Sequence, residues 1–362
     1  RMPILWESLA MPPYLYKVQE ELGEDWNKTT LYGAFENLLD EIKDDERFRP
    51  DLVVYIGGHI VSKKLKSYLR SLKGVEQIRI SQEADIEDTF MHLTKVMDLP
   101  NSDAMSWLDN FGWHNQWEDY RKLWMDALAK SYERKENFKP EFSSLATVKE
   151  FFSQLQKVEP QDFKAFTLGG KDAQDDGIYD RKFDTFLPGM MSSVFSGNSS
   201  AIRLMNLYAD RHVYCNRGVN GIEGSLSTAV GFSMCKNKSD KHVYCVLGDL
   251  SFFYDQNALW NRNLNGKLRI IVLNNGGGAI FGKFQGLKES QAREEMIMAK
   301  HHATAEGISS QNEVKYLAAH TMEEMEQGIS QLIHAESERP MLLEVFTDMD
   351  VDNEMLEAIQ KC

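Results

Sequence analysis

The chain has 362 residues, of which 42% are hydrophobic and 27% charged, a balance typical of globular proteins. Its net charge of −14 excludes a general nucleic-acid-binding surface, because phosphate backbones favour clustered Lys and Arg. No run of about 18 apolar residues occurs, so we expect no membrane span, and the four cysteines form no Cys-x-x-Cys pair, which predicts buried free thiols in a reducing cytoplasm.

The first half of the chain alternates between strand-like and helical patterns. Residues 51–56 and 77–80 are apolar runs that predict strands, and residues 62–72 between them predict a helix. This alternation indicates βα units and a parallel sheet. An aromatic and charged stretch, residues 103 to about 136, predicts a packing helix to which we assign no chemistry.

The second half follows a polar segment, residues 166–186, that predicts a linker or insertion. The alternation then resumes. Strands are predicted at 193–196, 212–215, 242–247, 268–273 and 341–346, the last closing the sheet. Because these strands are almost continuously apolar, both faces of the sheet should be covered. We therefore predict an α/β protein with two doubly wound parallel-sheet domains, residues 1–165 and 187–362.

Two polar turns follow strands of the second domain. Asp249 ends one strand, and Asn275 ends the next strand 26 residues later. Mg²⁺ prefers hard oxygen ligands and takes one or two from a protein, together with phosphate oxygens. Gly277 could add its backbone carbonyl, and the helix after Asp249 could direct N–H groups at a diphosphate. Either turn alone is ordinary, but together they predict a site for Mg²⁺, or Mn²⁺, and a diphosphate.

These motifs resemble the signature of thiamine-diphosphate enzymes. Residues 248–257 and 274–281 narrow the resemblance to one family, the 2-succinyl-5-enolpyruvyl-6-hydroxy-3-cyclohexene-1-carboxylate synthases of menaquinone biosynthesis. Residues 197–203 and 216–229 agree with the same family, and Leu250 stands where the general signature has Gly, as is normal for it. The resemblance is dense in the second half of the chain and thin in the first.

The resemblance implies a three-domain protein. Residues 1–165 would be the middle, transhydrogenase-III-like domain and residues 187–362 the diphosphate-binding domain, with the N-terminal pyrimidine-binding domain absent. It implies thiamine diphosphate with Mg²⁺ or Mn²⁺, decarboxylation of 2-oxoglutarate and addition of the product carbanion to isochorismate. It also implies active sites between the subunits of a homodimer or homotetramer.

The chain alone is expected to be inactive, because in this family the Glu that activates the cofactor lies in the absent domain. Two acidic residues near the motifs are poor substitutes. Glu223 lies in a loop that should meet the middle of the cofactor, and we interpret Asp255 as a cap of the helix after the metal site.

Both implied substrates carry two carboxylates, so the site needs cations. Arg203 on a helix and Arg217 in a strand-end loop are predicted to bind them, as guanidinium groups hold carboxylates bidentately. Lys63 and Lys64 resemble a basic pair of the family's middle domain, although a charged helix face is an equally good interpretation. Ile222 matches the family position that supports the bent cofactor, although it could be a simple core residue.

The complete set of predicted contacts follows from the motifs and the resemblance. The metal ligands are Asp249, Asn275 and Gly277. The residues predicted to bind the cofactor are Asn198, Ser199, Ile222, Gly248, Asp249, Leu250, Ser251, Asn275, Gly277, Gly278, Ala279, Ile280 and Phe281.

Two other functions stay open. Another thiamine-diphosphate enzyme, a 2-oxoacid decarboxylase or acetohydroxyacid synthase, would share Asp249 and Asn275 but would not need Arg203 and Arg217. A non-catalytic phosphate-binding module is disfavoured because no Gly-x-x-x-x-Gly-Lys-Ser/Thr motif occurs. The pair at residues 301–302, two histidines, has no third ligand at helical spacing and is interpreted as surface or helix-start residues.

Overall fold

The computed structural model describes residues 3, 5, 7–10, 35–82, 86–100, 103–104, 107–108, 118–159, 192–219, 221–235, 241–283 and 290–362. The described residues up to Phe138, with Ile359–Cys362, form one compact unit, and those of Lys139–Ala358 form another. The predicted α/β class with two parallel sheets is confirmed, because each unit contains a sheet whose strands all run parallel.

The first unit contains a three-stranded sheet in the order β1-β2-β3. Its strands are Leu52–Ile56 (β1), Glu76–Ser81 (β2) and Lys95–Asp98 (β3). Its helices are Phe35–Ile42 (α1), Lys63–Ser71 (α2) and Glu118–Asn137 (α3), with short 3-10 turns at Ser8–Ala10 and Glu46–Phe48. Strand β3 was not predicted, because both of its ends are charged and exposed.

Local chemistry explains the helices of this unit. The Ser62 hydroxyl accepts a hydrogen bond from Leu65 N at 3.1 Å and so caps α2, whose buried face is Leu65, Tyr68 and Leu69. In α3, Trp124 lies edge-on to Phe48 with ring centroids 5.4 Å apart. The part of the predicted aromatic helix that is described therefore packs into the core, as expected.

The second unit contains a six-stranded parallel sheet in the order β5-β4-β6-β7-β9-β8. Its strands are Ser193–Ser196 (β4), Val213–Cys215 (β5), Val243–Gly248 (β6), Leu268–Asn274 (β7), Lys315–Ala319 (β8) and Met341–Phe346 (β9). Its helices are Ser144–Val158 (α4), Ser200–Tyr208 (α5), Ser225–Cys235 (α6), Asp249–Asp255 (α7), Glu306–Gln311 (α8), Met322–His334 (α9) and Met349–Gln360 (α10). Shorter helical turns cover Gln256–Trp260, Ala279–Lys283 and Arg293–Ile297.

All five predicted strands of this sheet are present, but the outermost strand on one side is not the predicted one. Strands β6 and β7 are buried along almost their whole length, which confirms a sheet covered on both faces. The last strand, β9, does not close the sheet, because it lies between β7 and β8. Strand β8 was not predicted, since four of its five residues are partly or fully exposed, as is usual at an edge.

The division into units also differs from the predicted domain bounds. Helix α4 was assigned to the first domain, but its apolar face packs in the second unit, where Phe151 lies 5.1 Å from the Tyr244 ring of β6. The predicted linker, residues 166–186, lies outside the described residues, and the bounds 1–165 and 187–362 stay predictions.

The four cysteines are all free thiols. Cys245 is buried as expected, whereas Cys235 is exposed. Burial raises the pKa of Cys215 to about 11, so its thiol is protonated at neutral pH.

The strand order creates a crevice in the second sheet. The chain leaves β4 for β5 on one side and then returns past β4 to β6 on the other. Connections that leave neighbouring strands in opposite directions separate the loops at their carboxyl ends, and ligands of open α/β sheets bind there. The loops after β4 and β6 are therefore the first place to look for a site.

Candidate functional site

Asp249 lies at the carboxyl end of β6 and is buried with 3% of its surface exposed. Its two carboxylate oxygens accept hydrogen bonds from Leu250 N at 2.7 Å and from Gly277 N at 2.8 Å. Gly248 pairs with Leu273 of β7, so the two predicted metal-binding turns lie at one edge of the sheet. The structure thus brings together Asp249 and Gly277, which are 28 residues apart in sequence.

Asn275 follows β7, and of the two polar atoms of its side chain only Nδ2 forms a described hydrogen bond. Its Nδ2 donates a hydrogen bond to Asp352 Oδ2 at 2.8 Å. Its Oδ1 is buried and has no hydrogen-bond partner among the described residues. An unsatisfied buried acceptor costs about 1–3 kcal/mol, and native structures contain few of them, so this oxygen needs an explanation.

The glycines of this loop adopt backbone conformations that other residues avoid. Gly276 has φ +78° and Gly277 has φ +152°. A Cβ on Gly277 would lie 2.7 Å from Met298 O, a distance that real Cβ atoms do not reach. Gly278 N donates to the same carbonyl at 2.6 Å, so the loop is held against the segment around Met298.

His301 belongs to this loop cluster, although sequence analysis interpreted it as a surface or helix-start residue. Its backbone N donates to Gly276 O at 2.9 Å, and its Nε2 lies 3.2 Å from Asp249 Oδ2. The contact with Asp249 raises the pKa of His301, and the ring lies edge-on to Phe253. Sequence reasoning missed it because nothing local links residue 301 to residue 249.

A second cluster surrounds Asn198, just beyond β4. Its Nδ2 donates to Asn216 O at 3.0 Å and to Gly221 O, and its Oδ1 accepts from Arg217 Nη1 at 2.9 Å. The loops after β4 and β5 are thereby joined. Ser199 follows with φ +67°, rare for a residue with a side chain, and begins α5. The half-buried Arg203 lies in the first turns of that helix.

One hydrogen bond links the two clusters. Ser251 Oγ, in the first turn of α7, donates to Ile222 O in the loop before α6. Ile222, predicted to support the cofactor, is half-buried and its N donates to Glu223 Oε2 at 3.0 Å. The predicted residues of both clusters therefore lie along the carboxyl ends of β4, β5, β6 and β7.

The other residues predicted to bind the cofactor lie beside Asp249 or follow residues 275–278. Leu250 is half-buried beside Asp249, and Ala279 begins the helical turn Ala279–Lys283. Ala279 O accepts from Asn353 Nδ2 at 3.1 Å. Ile280 is half-buried and Phe281 is 39% exposed, so both offer apolar surface at the rim of the loop.

Asp255 has a different role from the expected one. It was interpreted as a cap of the helix after the metal site, but its carboxylate accepts from Ser227 N at 2.6 Å and from Ser227 Oγ. Because Ser227 lies in the first turn of α6, Asp255 caps that helix.

Lys63 and Lys64 begin α2 in the first unit. Lys64 Nζ forms an ion pair with Asp40 Oδ2 at 2.6 Å. Their predicted contact with substrate stays a prediction.

A cavity of about 290 Å³ lies beside residues 274–276. Its walls include Asn275, Lys300, His301, Phe346 and Thr347. In the described part of the chain, no group of three or more His, Cys, Asp or Glu side chains could hold a metal ion. A cation at this edge would therefore rely on amide, carbonyl and phosphate oxygens besides Asp249.

Comparison with known proteins agrees with this geometry. Residues 196–345 match the family model of the C-terminal TPP binding domain of thiamine pyrophosphate enzymes. These residues belong to the thiamine-diphosphate enzyme family. The match to this domain supports thiamine diphosphate as the cofactor, which the motifs had predicted.

Curated proteins with similar sequences point to one enzyme family within this group. The chain is 33% identical to a 2-succinyl-5-enolpyruvyl-6-hydroxy-3-cyclohexene-1-carboxylate synthase of Phocaeicola vulgatus, in an alignment that covers 97% of the chain and 58% of that protein. Synthases of the same name from Bacteroides thetaiotaomicron and Christiangramia forsetii are 33% and 31% identical over 85% and 97% of the chain. The resemblance to this synthase family is confirmed.

The chain spans about half the length of the curated relatives it matches, 49% to 58% for these three. Within the described ranges, every helix is too short or too polar to cross a lipid bilayer.

Proposed function

We propose that this chain binds thiamine diphosphate through a Mg²⁺ or Mn²⁺ ion held by the Asp249 carboxylate, Asn275 Oδ1 and the Gly277 carbonyl. The observation that carries the proposal is the buried Asn275 Oδ1, which accepts a hydrogen bond from none of the residues that the structure describes. A cation at this oxygen would remove the cost of leaving it unpaired. Gly277 O accepts from Ala279 N at 3.1 Å and keeps a second lone pair for a metal.

The donor set suits a hard cation. It offers one carboxylate, one amide oxygen and one backbone carbonyl, and it leaves the remaining positions to diphosphate oxygens and water. The hydrogen bond from Gly278 N to Met298 O at 2.6 Å holds the residue next to Gly277 in place, and an added Cβ on Gly277 would lie 2.7 Å from the same oxygen.

We propose further that, in the complete protein, this site takes part in decarboxylation of 2-oxoglutarate and addition to isochorismate. When bound, thiamine diphosphate supplies the nucleophilic carbon and the electron sink for that chemistry. The chain's own task is to position the groups. The hydrogen bond from Ser251 Oγ to the Ile222 carbonyl holds the Ile222 backbone against the first turn of α7.

Arg203 and Arg217 are proposed to bind the substrate carboxylates. Arg217 is oriented by its 2.9 Å hydrogen bond to Asn198 Oδ1, and charge-assisted bonds to carboxylates contribute about 1.5–3 kcal/mol each. In the complete enzyme, Arg217→Ala should lower kcat/KM about 10²-fold and leave cofactor affinity within about twofold. Equal losses in both quantities would assign Arg217 to the cofactor or the fold instead.

We also propose that the chain alone does not turn over substrate. Among the described residues of the two clusters, Glu223 is exposed and accepts from its neighbour Ile222, while Asp255 caps α6. Neither is suited to activate the cofactor, a step for which general acid–base help is typically worth 10²–10⁴-fold. Lys63 and Lys64 as substrate contacts, and a homodimer or homotetramer, remain part of the proposal.

The test is a calorimetric titration of the chain with thiamine diphosphate, with and without Mg²⁺. Binding that requires Mg²⁺ supports the proposal, and binding that is indifferent to Mg²⁺ overturns the metal assignment. Absence of any binding would favour a module for another phosphate ligand.

The activity is tested by product analysis with 2-oxoglutarate alone and with isochorismate, using the chain and then the chain mixed with a separately made pyrimidine-binding domain. Turnover only in the mixture, with an isochorismate adduct, is the expected result. An aldehyde or an acetohydroxyacid as the sole product would indicate a decarboxylase or an acetohydroxyacid synthase.

A further inference from the structure

We infer that Asp352 is a positioning residue that orients the Asn275 amide so that Oδ1, and not Nδ2, faces the metal. This inference rests on the proposed metal site and deepens it. Asp352 lies on α10, 77 residues after Asn275, and belongs to none of the cofactor motifs.

The chemistry of the two side chains fixes the orientation. An Asn amide is nearly symmetric in shape, so rotation by 180° exchanges its oxygen and its NH₂ group. Only the oxygen can bind a cation. A carboxylate accepts hydrogen bonds and does not donate them, so Asp352 Oδ2, 2.8 Å from Nδ2, favours one of the two orientations. That orientation leaves Oδ1 without a protein partner, as observed.

Asp352 is itself held rigidly. Its Oδ1 accepts from Ser144 N at 2.7 Å, and its Oδ2 accepts from Ser144 Oγ at 2.7 Å and from Thr347 Oγ1 at 3.1 Å. These donors come from the start of α4 and from the residue after β9. With Asn275 they form four hydrogen bonds to one carboxylate, all of them donated to it.

Residues that hydrogen-bond to a metal ligand, without touching the metal, have the same effect in other metal sites. Groups that hydrogen-bond to a metal ligand fix its rotamer and its donor atom, and their loss typically lowers metal affinity 10–100-fold. Asp352 would therefore affect the metal without touching it. Another buried carboxylate, Glu344, does not share this role. It accepts a hydrogen bond from Asn274 Nδ2 at 2.7 Å, and none of the described hydrogen bonds joins it to Asn275.

The experiment measures Mn²⁺ affinity by electron paramagnetic resonance, using the 362-residue chain with thiamine diphosphate present. The variant is Asp352→Asn, which keeps the shape of the side chain but adds a donor group, so that the Asn275 amide can rotate. We expect Mn²⁺ binding to weaken about tenfold. In an Asn275→Ala background the same change should alter the remaining affinity less than twofold, because the amide it orients is gone.

Two control variants separate positioning from general damage. Asp350→Asn removes an exposed carboxylate of the same helix. Glu159→Gln removes a buried carboxylate at the amino ends of the strands, where Glu159 pairs with Arg211 at 2.6 Å. Both controls should keep Mn²⁺ affinity within twofold of the unmodified chain, although Glu159→Gln should lower the free energy of unfolding.

The possible results are distinct. If the unmodified chain binds no Mn²⁺, the proposed metal site fails and the inference fails with it. If the unmodified chain binds Mn²⁺ and Asp352→Asn binds it equally well, the inference alone is overturned. An equal loss with and without the Asn275 amide would also overturn it, because Asp352 would then act through the fold.

Discussion

The two ends of the strands in the six-stranded sheet bury polar groups in different ways. We call the side where the strands begin the amino edge and the side where they end the carboxyl edge. At the amino edge, Glu159 accepts from Ser192 N at 3.1 Å, from Ser192 Oγ at 2.7 Å and from Arg211 Nη1 at 2.6 Å. Arg211 Nε also donates to Asp210 at 2.9 Å. Charges buried in this way are mutually satisfied, which is what stability requires.

The carboxyl edge has buried polar groups without such mutual satisfaction. Asn275 Oδ1 has no partner, and Gly276, Gly277 and Ser199 have positive φ angles of +78°, +152° and +67°. Strained backbone and unsatisfied polar atoms persist where the surrounding structure holds them for a ligand. Incomplete pairing and positive φ angles together, and not the burial of polar groups alone, therefore mark the candidate site.

The largest expected effect is on the carboxyl edge. Asp249→Ala should abolish Mg²⁺-dependent binding of thiamine diphosphate, because it removes the one carboxylate of the proposed donor set. Asn275→Ala should weaken that binding strongly. Calorimetric titration measures both, with the exposed Asp350→Ala as a control. Unchanged titrations in both variants would contradict the assignment of this edge.

At the amino edge, we expect a substitution to change the stability of the fold and not the binding of the cofactor. Glu159→Gln should lower the free energy of unfolding by roughly 2–4 kcal/mol, since Arg211 loses one of its two carboxylate partners in a buried position. Denaturant unfolding measures this loss. The exposed Glu326→Gln is the control and should change stability by less than about 0.5 kcal/mol. A loss no larger than that of the control would remove the contrast between the edges.

The glycine loop gives a smaller effect with a matched control. Gly277→Ala should lower the free energy of unfolding by about 1–3 kcal/mol, because φ +152° and the nearby Met298 O leave no place for a Cβ. Gly231→Ala, inside α6 with nothing within 4 Å of the added Cβ, should instead raise it by about 0.5–1 kcal/mol. Thermal unfolding of both variants measures the two shifts. The same sign in both would show that strain does not explain the loop.

The smallest effect concerns pH. Burial, with Arg269 nearby, lowers the pKa of His242 to about 4, against about 6.5 in the unfolded chain. Between these values the unfolded state binds more protons, so stability is fully present above about pH 6.5 and falls as the pH drops towards 4. We expect a loss of about 1–2 kcal/mol, reduced because the ring is only half-buried.

The pH dependence can be tested by substitution. His242→Phe should flatten the change in unfolding free energy between pH 6.5 and 4, whereas His334→Asn, at an exposed position, should leave it in place. An unchanged slope in His242→Phe would assign the pH dependence to other groups.

Much of the candidate site could be predicted because parallel strands end at a common edge. That rule placed Asp249 with Gly277, and the hydrogen bond between them agrees with it. It did not reveal His301, because the contact of that residue with Asp249 depends on how a loop returns 52 residues later. The interpretation of Asp255 as a cap chose the wrong helix, because the helix that it caps, α6, precedes it in sequence.

Local sequence patterns were enough to predict the α/β class, the strands of the second sheet other than β8, and the two turns that carry the cofactor signature. These depend on hydrophobic periodicity and turn chemistry, which are local properties of the chain. The position of β9 inside the sheet and the contact between Asn275 and Asp352 depend instead on tertiary packing. Such partners are chosen by the packing of elements that are distant in sequence, and no local pattern records that choice.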